Sequence, residues 1–444
     1  MTLAAYRLLS RLLWPVARAY LWRLGRKDPA YRAGMDERWG RGHYALIPRG
    51  SIWIHAASVG EVRAAQPLID RLLEDNWPLY ITTNTPTGRE TAEARYGPDV
   101  RVGFPPVDVP YAVERFLEKL QPSAAVFVEL ELWPNRLAAL ARKDVPIALV
   151  NARLSDASLR RYARFGRLMK ECLKGVVCIS AQTEEDGERY RKLGVPDARI
   201  QITGNLKFDQ SIDDNQIRSG RALRARIGAE RPVWVAASIR QAEASIVGDA
   251  HERLRERYPN ALLIAVPRHP DRFEWPGAES QGLELQVRDR HLLTASALRD
   301  DMSVSAKTAV VLGDTFGEMI KFLAAADVAF VGGTLTPVGG HNPLEPAALG
   351  KALLMGPHVT NFRQVDALLG DCGGRIRVNN ARELAESLIS LFGDSHYLSG
   401  IGENARGLLE RHRGATERTL MALQRTLFTD RRFSTATSDP GSAH

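Results

Sequence analysis

The stretch "SIWIHAASVGEVRAAQPLI" (51–69) starts as a short apolar run, passes through Ser-Val-Gly-Glu and continues with amphipathic spacing. A run of this kind bounded by a turn signal reads as a buried strand, and the spacing after it reads as a helix. Ser58 and Glu61 stand three apart, the S-x-x-E pattern of a capping box, so Glu61 has two readings, a helix-start residue or a reactive carboxylate. The same alternation recurs in "LYITTN" (79–84) before "TPTGRETAEARY" (85–96), in "AAVFVEL" (124–130) before "WPNRLAALARK" (133–143), and in "PIALVNA" (146–152) and "GVVCISA" (175–181). Strands alternating with helices imply βαβ units and a parallel sheet, hence an α/β, doubly wound domain over roughly 31–208.

The segment 205–232 is polar and lacks strand character, so 209–225 reads as a linker carrying a helix. The pattern then restarts with "PVWVAAS" (232–238), "ALLIAVPRHP" (261–270), "LELQV" (283–287), "TAVVLGD" (308–314), "VAFVGG" (328–333) and "KALLMGP" (351–357). A second doubly wound domain over 226–427 follows, with 428–444 a polar tail expected to be flexible. Two such domains facing each other are expected to leave a central cleft at the carboxyl ends of their strands, where this architecture binds ligands.

Composition agrees with two full cores: 444 residues, 44% hydrophobic and 25% charged. Three cysteines, Cys172, Cys178 and Cys372, form no CxxC pair and no even set, which argues against a zinc site or a disulfide framework. The net charge of +8 favours an anionic partner, but basic runs interleaved with aromatics are missing beyond the N-terminus, so nucleic acid is not expected. Residues 1–30 form a basic amphipathic segment: Arg7, Arg11 and Arg18 share a face and leave Leu8, Leu9, Leu12, Leu13, Trp14 and Leu21 for the remaining surface. The arginines exclude an unbroken apolar span and a cleavable signal peptide, and leave a helix lying in an anionic membrane interface, or a terminal helix packed on its own domain.

The strongest local signal is "VAFVGGTLTPVGGHNPLEPAALGKALLMGP" (328–357), a strand, two glycine pairs and a helix start. Asn342 suits the N-cap, Pro343 the first turn and Glu345 the N3 position, and such a loop admits an anion to free backbone N–H groups. Glu345 either bonds back to the Asn342 backbone or accepts a ribose hydroxyl pair; the pattern is not G-x-G-x-x-G, which disfavours a dehydrogenase. Arg268 and His269 follow another strand, and Asp314, Gly317 and Glu318 a third, so three polar loops share one sheet edge and suit a nucleotide.

With "HAASVGE" (55–61), "ELELWPN" (129–135), "NARLSD" (151–156), "GNLKFD" (204–209), "VPRHPDRF" (266–273), "GDTFGEM" (313–319) and the long glycine segment, the chain resembles the 3-deoxy-D-manno-octulosonic acid (Kdo) transferases. The resemblance spans about 53–362 and implies the GT-B fold, with transfer of Kdo from CMP-Kdo to a lipid A precursor at the cytoplasmic side of the inner membrane. It implies Glu61 as general base, with inversion, and Glu131 and Lys207 as supports of the transition state. It implies CMP contacts from Arg268, His269, Phe316, Gly317, Glu318, Asn342, Pro343, Leu344 and Glu345. No cofactor and no metal is expected, since a monophosphate leaving group can be met by cationic and backbone donors and no DxD motif is present.

From the residues alone, Glu129 and Glu131 are expected on one face of a strand, Glu131 reactive or buried against Arg153, and Glu129 structural. Lys207 without the resemblance is a surface lysine, and the helix dipole is expected to keep Glu61 ionised. One departure from the family is "ASIRQAEAS" (237–245), where Ile239 carries no hydroxyl, which leaves Ser238 or backbone for any phosphate contact. The alternatives are another GT-B sugar-nucleotide enzyme, a UDP-sugar transferase or epimerase, or a non-enzymatic lipid-binding protein.

Overall fold

The computed structural model describes residues 1–44, 46–276, 279–281, 284–287, 290–297 and 303–427. The chain forms two compact units, one of residues 1–210 joined by the segment from His412 onward, the other Ser211–Arg411. The 428–444 tail lies outside the described residues.

The first unit holds seven parallel strands: β1 (Ile52–His55), β2 (Leu79–Thr82), β3 (Arg101–Gly103), β4 (Ala124–Val128), β5 (Ile147–Ala152), β6 (Val176–Ala181) and β7 (Ile200–Ile202). Their order is β3-β2-β1-β4-β5-β6-β7. The apolar runs are continuous because both faces are covered. Trp53, Phe127 and Leu149 enter one core with Tyr44 and Phe116, while Ile54, Val126 and Val150 enter another with Leu68 and Leu72. After β3 the chain returns to lay β4 on the other side of β1, so the strand order reverses between β1 and β4. In open α/β sheets ligands bind at such a reversal, at the carboxyl ends of the strands.

The second unit repeats the plan with β8 (Val233–Ile239), β9 (Leu262–Pro267), β10 (Glu279–Gln281), β11 (Glu284–Val287), β12 (Arg290–Thr294), β13 (Thr308–Leu312), β14 (Val328–Val331), β15 (Ala352–Met355) and β16 (Arg375–Arg377). The order is β10-β11-β12-β13-β9-β8-β14-β15-β16. Seven strands are parallel, and β10 and β11 add antiparallel pairings at one edge. Here the reversal falls between β8 and β14.

Two elements differ from the sequence reading. The segment read as a linker carrying a helix does form the helix Asp214–Ile227, but as part of the second unit, with Leu223 and Ile227 in its core; Gly220 lets it approach the Lys321 carbonyl, 2.4 Å from where a Cβ would stand. The last helix, Ala415–Thr426, belongs to the first unit, not the second, because Leu420, Leu423 and the following Leu427 are buried with the β1 and β4 side chains. Its start is held by Asp209, which accepts from the Gly414 N–H at 2.8 Å.

The N-terminal segment is two helices, Leu3–Leu12 and Trp14–Lys27, broken where Pro15 follows Trp14. The first is docked: Tyr6 donates to Asp108 at 2.8 Å, and the Leu3 N–H to Glu171 at 3.1 Å. Its other side leaves Leu8, Leu9, Arg11 and Leu12 exposed, and Leu13 between the helices and Val16, Arg18 and Tyr20 on the second are exposed as well. No helix among the described residues is long and apolar enough to cross a membrane.

Candidate functional site

In the first unit the loops after β1 and β4, on either side of the strand reversal, bring three carboxylates and one lysine together. The helix Val59–Glu74 starts right after β1 with Ser58 at its N-cap; the Ser58 hydroxyl accepts from the Glu61 N–H at 3.4 Å. The Glu61 carboxylate turns back and accepts from the Ala57 N–H, one residue before the cap, so it does serve the helix start. It is not thereby kept ionised. Burial first, then the charges of Glu131 and Glu129, push its pKa up to about 8, against the downward pull of the Ala57 bond and of Lys207.

β4 ends at Val128, so Glu129 and Glu131 lie in the loop beyond it and not on one strand face as expected. Glu129 has φ 58°, a left-handed conformation uncommon for a residue with a side chain, and such strain concentrates at functional positions. Lys207 donates to Glu129 at 3.0 Å, so the lysine is an ion-pair partner in the cluster rather than a surface side chain. It sits on the turn Leu206–Asp209, and the turn is fixed from behind. The Asn151 side-chain oxygen accepts from the Leu206 N–H at 3.0 Å, Gln182 donates to the Asn151 carbonyl at 2.9 Å, and Asn205 donates to Gln182 at 3.1 Å.

Glu131 is not paired with Arg153. Its Oε2 accepts from Trp133 Nε1, lies 3.2 Å from His55 Nε2 and 3.5 Å from Asn84 Nδ2. Burial works against its charge, but the His55 and Trp133 bonds and the Arg136 guanidinium outweigh it and hold Glu131 below the ordinary carboxylate range. Two neighbouring carboxylates are thus pushed apart, Glu131 down and Glu61 up, which is how a site separates a fixed anion from a proton acceptor.

In the second unit the loops after β8, β9, β13 and β14 share the carboxyl edge of the sheet. Arg268 follows β9, with its N–H bonded to the Ile239 carbonyl at 2.9 Å. Burial, then Arg268 and Arg240, lower the pKa of the exposed His269, the signature of a positively charged patch. Phe316 is exposed and Gly317 has φ 78°. Glu318 accepts from Lys321 at 2.7 Å and from the Thr315 hydroxyl; burial opposes its charge, but those bonds hold it below the ordinary value. Asn342 accepts from the Leu344 N–H at 3.1 Å, but the helix runs Leu344–Ala348 with Pro343 at its N-cap, one residue later than expected. Glu345 accepts from the Asn342 side-chain amide at 3.1 Å.

The sequence reading missed Glu243. Fully buried, its carboxylate accepts the N–H groups of Gly333 at 2.7 Å, Leu335 at 3.0 Å and Arg240 at 3.0 Å, and so ties the loop after β8 to the glycine loop after β14 across the reversal. Gly332 is required there, since a Cβ would stand 2.6 Å from the Ser238 carbonyl oxygen. Ser238 has φ 58° beside a register shift in β8. The only signal in the sequence was a glutamate five residues beyond a serine at a strand end, which is too common to single out. Among the described residues no group of three or more His, Cys, Asp or Glu side chains could hold a metal ion.

Two doubly wound units, each with charged loops at its strand reversal, have the architecture of the GT-B fold. A solved UDP-GlcNAc 2-epimerase from Neisseria meningitidis shares this fold with a TM-score of 0.53 at 13% identity, over 85% of this chain and 100% of the other. Residues 33–210 match the family model described as 3-deoxy-D-manno-octulosonic-acid transferase (kdotransferase). A 3-deoxy-D-manno-octulosonic acid transferase of Haemophilus influenzae is 36% identical over 86% of this chain and 89% of its own length. One of Bordetella pertussis is 36% identical over 90% and 94%. The chain belongs to the Kdo transferase family and is a glycosyltransferase.

Proposed function

We propose that the protein transfers Kdo from CMP-Kdo to a sugar hydroxyl of a lipid A precursor, with inversion, in lipopolysaccharide assembly. The observation that carries this reading is the grouping of the Glu61, Glu129 and Glu131 carboxyls with Lys207 beyond the strand reversal, where Glu61 is held by the Ala57 N–H and burial helps to raise its pKa to about 8. The acceptor oxygen attacks the anomeric carbon as the bond to the CMP phosphate oxygen breaks. The acceptor proton passes to Glu61, and the electron pair leaves with CMP. A more basic carboxylate makes that proton transfer less uphill, and activity follows its ionised fraction.

Lys207 meets the carboxylate of Kdo or the departing phosphate, with Glu129 setting its position. On the second unit Arg268 and His269, with Phe316, Gly317 and Glu318, hold the CMP moiety together with Asn342, Pro343, Leu344 and Glu345. The positive charges of Arg240 and Arg268 beside His269 support a phosphate contact there. Charge compensation by these side chains is the basis for proposing transfer without a bound metal. The exposed leucines of the first helix, with Arg11 beside them and the exposed Arg18 on the second helix, support an association with the anionic cytoplasmic leaflet of the inner membrane.

Incubation with CMP-Kdo and a lipid A precursor, followed by mass analysis of the lipid, should show the Kdo increment with or without EDTA. An unchanged lipid mass sinks the proposal. Displacement of bound CMP by UDP at equal concentration would favour a UDP-sugar enzyme instead.

A further inference from the structure

Behind Glu131 runs a buried chain of polar side chains that the roles above leave unused. Trp53 Nε1 donates to Thr82 Oγ1 at 2.8 Å, Thr82 Oγ1 lies 2.9 Å from His55 Nδ1, and His55 Nε2 lies 3.2 Å from Glu131 Oε2. His55 and Thr82 are register partners on β1 and β2, and Trp53, Thr82 and His55 are all buried. Packing alone does not ask for an imidazole here, since the neighbouring side chains on this face are Trp53 and Phe127. A buried ring with two polar nitrogens needs both of them satisfied.

The proton count assigns the tautomer. An indole only donates, so the Thr82 oxygen accepts from Trp53 and its own proton is free for His55 Nδ1. The ring proton then sits on Nε2 and is donated to Glu131. In the opposite tautomer Nδ1–H would donate to the Thr82 carbonyl at 3.1 Å or to the hydroxyl, but an Nε2 lone pair would face the Glu131 carboxylate at 3.2 Å, two acceptors with no proton between them. Burial also lowers the His55 pKa, so the ring is neutral and its single proton has to be placed. Arg136 stands behind, Nη1 3.4 Å from His55 Nε2, with Nε and Nη2 on the Pro106 carbonyl at 3.1 and 2.7 Å. Its N–H donates to Asp108, the same carboxylate that Tyr6 of the first helix engages.

We propose that His55, set in its Nε2–H form by the Thr82 hydroxyl, is a positioning residue that orients Glu131 and keeps it an anion during transfer. The inference rests on reading Glu131 as part of the reacting site. The charged groups around the pair are Glu61 on the helix after β1, Glu129 in the same loop, Lys207 on the 206–209 turn and Arg136 on the helix Pro134–Arg142. Glu131 as an anion also sustains the basicity of Glu61, so disturbing the chain reaches the base through it.

The test compares Thr82→Val, which keeps the shape but removes the hydroxyl, with Thr82→Ser, which keeps the hydroxyl. Thr82→Val should lower kcat by roughly two- to tenfold, the size of one hydrogen bond between neutral groups, with KM for CMP-Kdo unchanged. The acid limb of its pH profile should steepen as Glu131 joins Glu61 in titrating, and Thr82→Ser should restore both. Nitrogen NMR of the wild-type protein should show His55 protonated on Nε2, and the Thr82→Val spectrum should show Nδ1. His55→Gln, which keeps a donor toward Glu131, should retain more transfer than His55→Phe. A wild-type kcat and pH profile in Thr82→Val, or a wild-type His55 protonated on Nδ1, overturns the proposal. Full transfer by Glu131→Gln would overturn the reading of Glu131 itself, and the catalytic half of this inference with it.

Discussion

Glu61 shows how one carboxylate serves two ends. Its bond to the Ala57 N–H helps start the helix, and that same restraint holds it among Glu131 and Glu129, whose charges make it basic. Activity should therefore rise with pH through about 8 in kcat/KM, a limb that Glu61→Gln removes along with most of the transfer. The same shift governs stability. A carboxyl whose pKa goes from 4.5 unfolded to about 8 folded binds more protons folded, so its contribution is present below pH 4.5 and is lost as pH rises toward 8. Glu61→Gln should then raise Tm at pH 9 by a few degrees relative to wild type and change it little at pH 5, as read by calorimetry. On the donor side, Arg268→Ala should weaken CMP binding by about 1.5–3 kcal/mol in calorimetric titration, the loss of one charge-assisted contact.

At the scale of elements, the second strand reversal is built around a carboxylate that touches no substrate in this account. Glu243 accepts from three backbone N–H groups, those of Gly333 and Leu335 in the glycine loop and that of Arg240 at the start of the single turn Gln241–Glu243. Glu243→Ala leaves those donors buried and unpaired, which should cost about 3 kcal/mol or more and weaken CMP binding as the glycine loop loosens. Urea unfolding and CMP titration on the same variant measure the two effects. The turn carrying Lys207 is held in the same indirect way, by Asn151, Gln182 and Asn205, so a lysine distant in sequence from Glu129 meets it at 3.0 Å.

For the whole molecule, both chain ends serve the first unit. The first helix is fastened to it by Tyr6 while exposing a leucine-rich side, so Leu8→Glu with Leu12→Glu should abolish sedimentation with anionic vesicles while leaving Tm within a degree or two. Ending the chain at residue 411 should instead unfold the first unit, because Leu420 and Leu423 supply part of its core; limited proteolysis would then cleave 1–210 and spare 211–411.

The alternation of apolar strand and amphipathic helix, the two-fold repeat of that pattern and the glycine loop at 332–340 were legible along the chain, because strands buried on both faces must be apolar runs and tight loops must carry glycine. Glu61 and Arg268 were visible for the same local reason, one standing at a helix start and the other at a strand end. What local pattern could not carry was pairing over distance: Lys207 with Glu129, Glu243 with Gly333, His55 with Glu131, and the last helix with the first core. Those partners lie between 76 and several hundred residues apart, so only the folded sheet order decided them, and with them the ionisation of the candidate base.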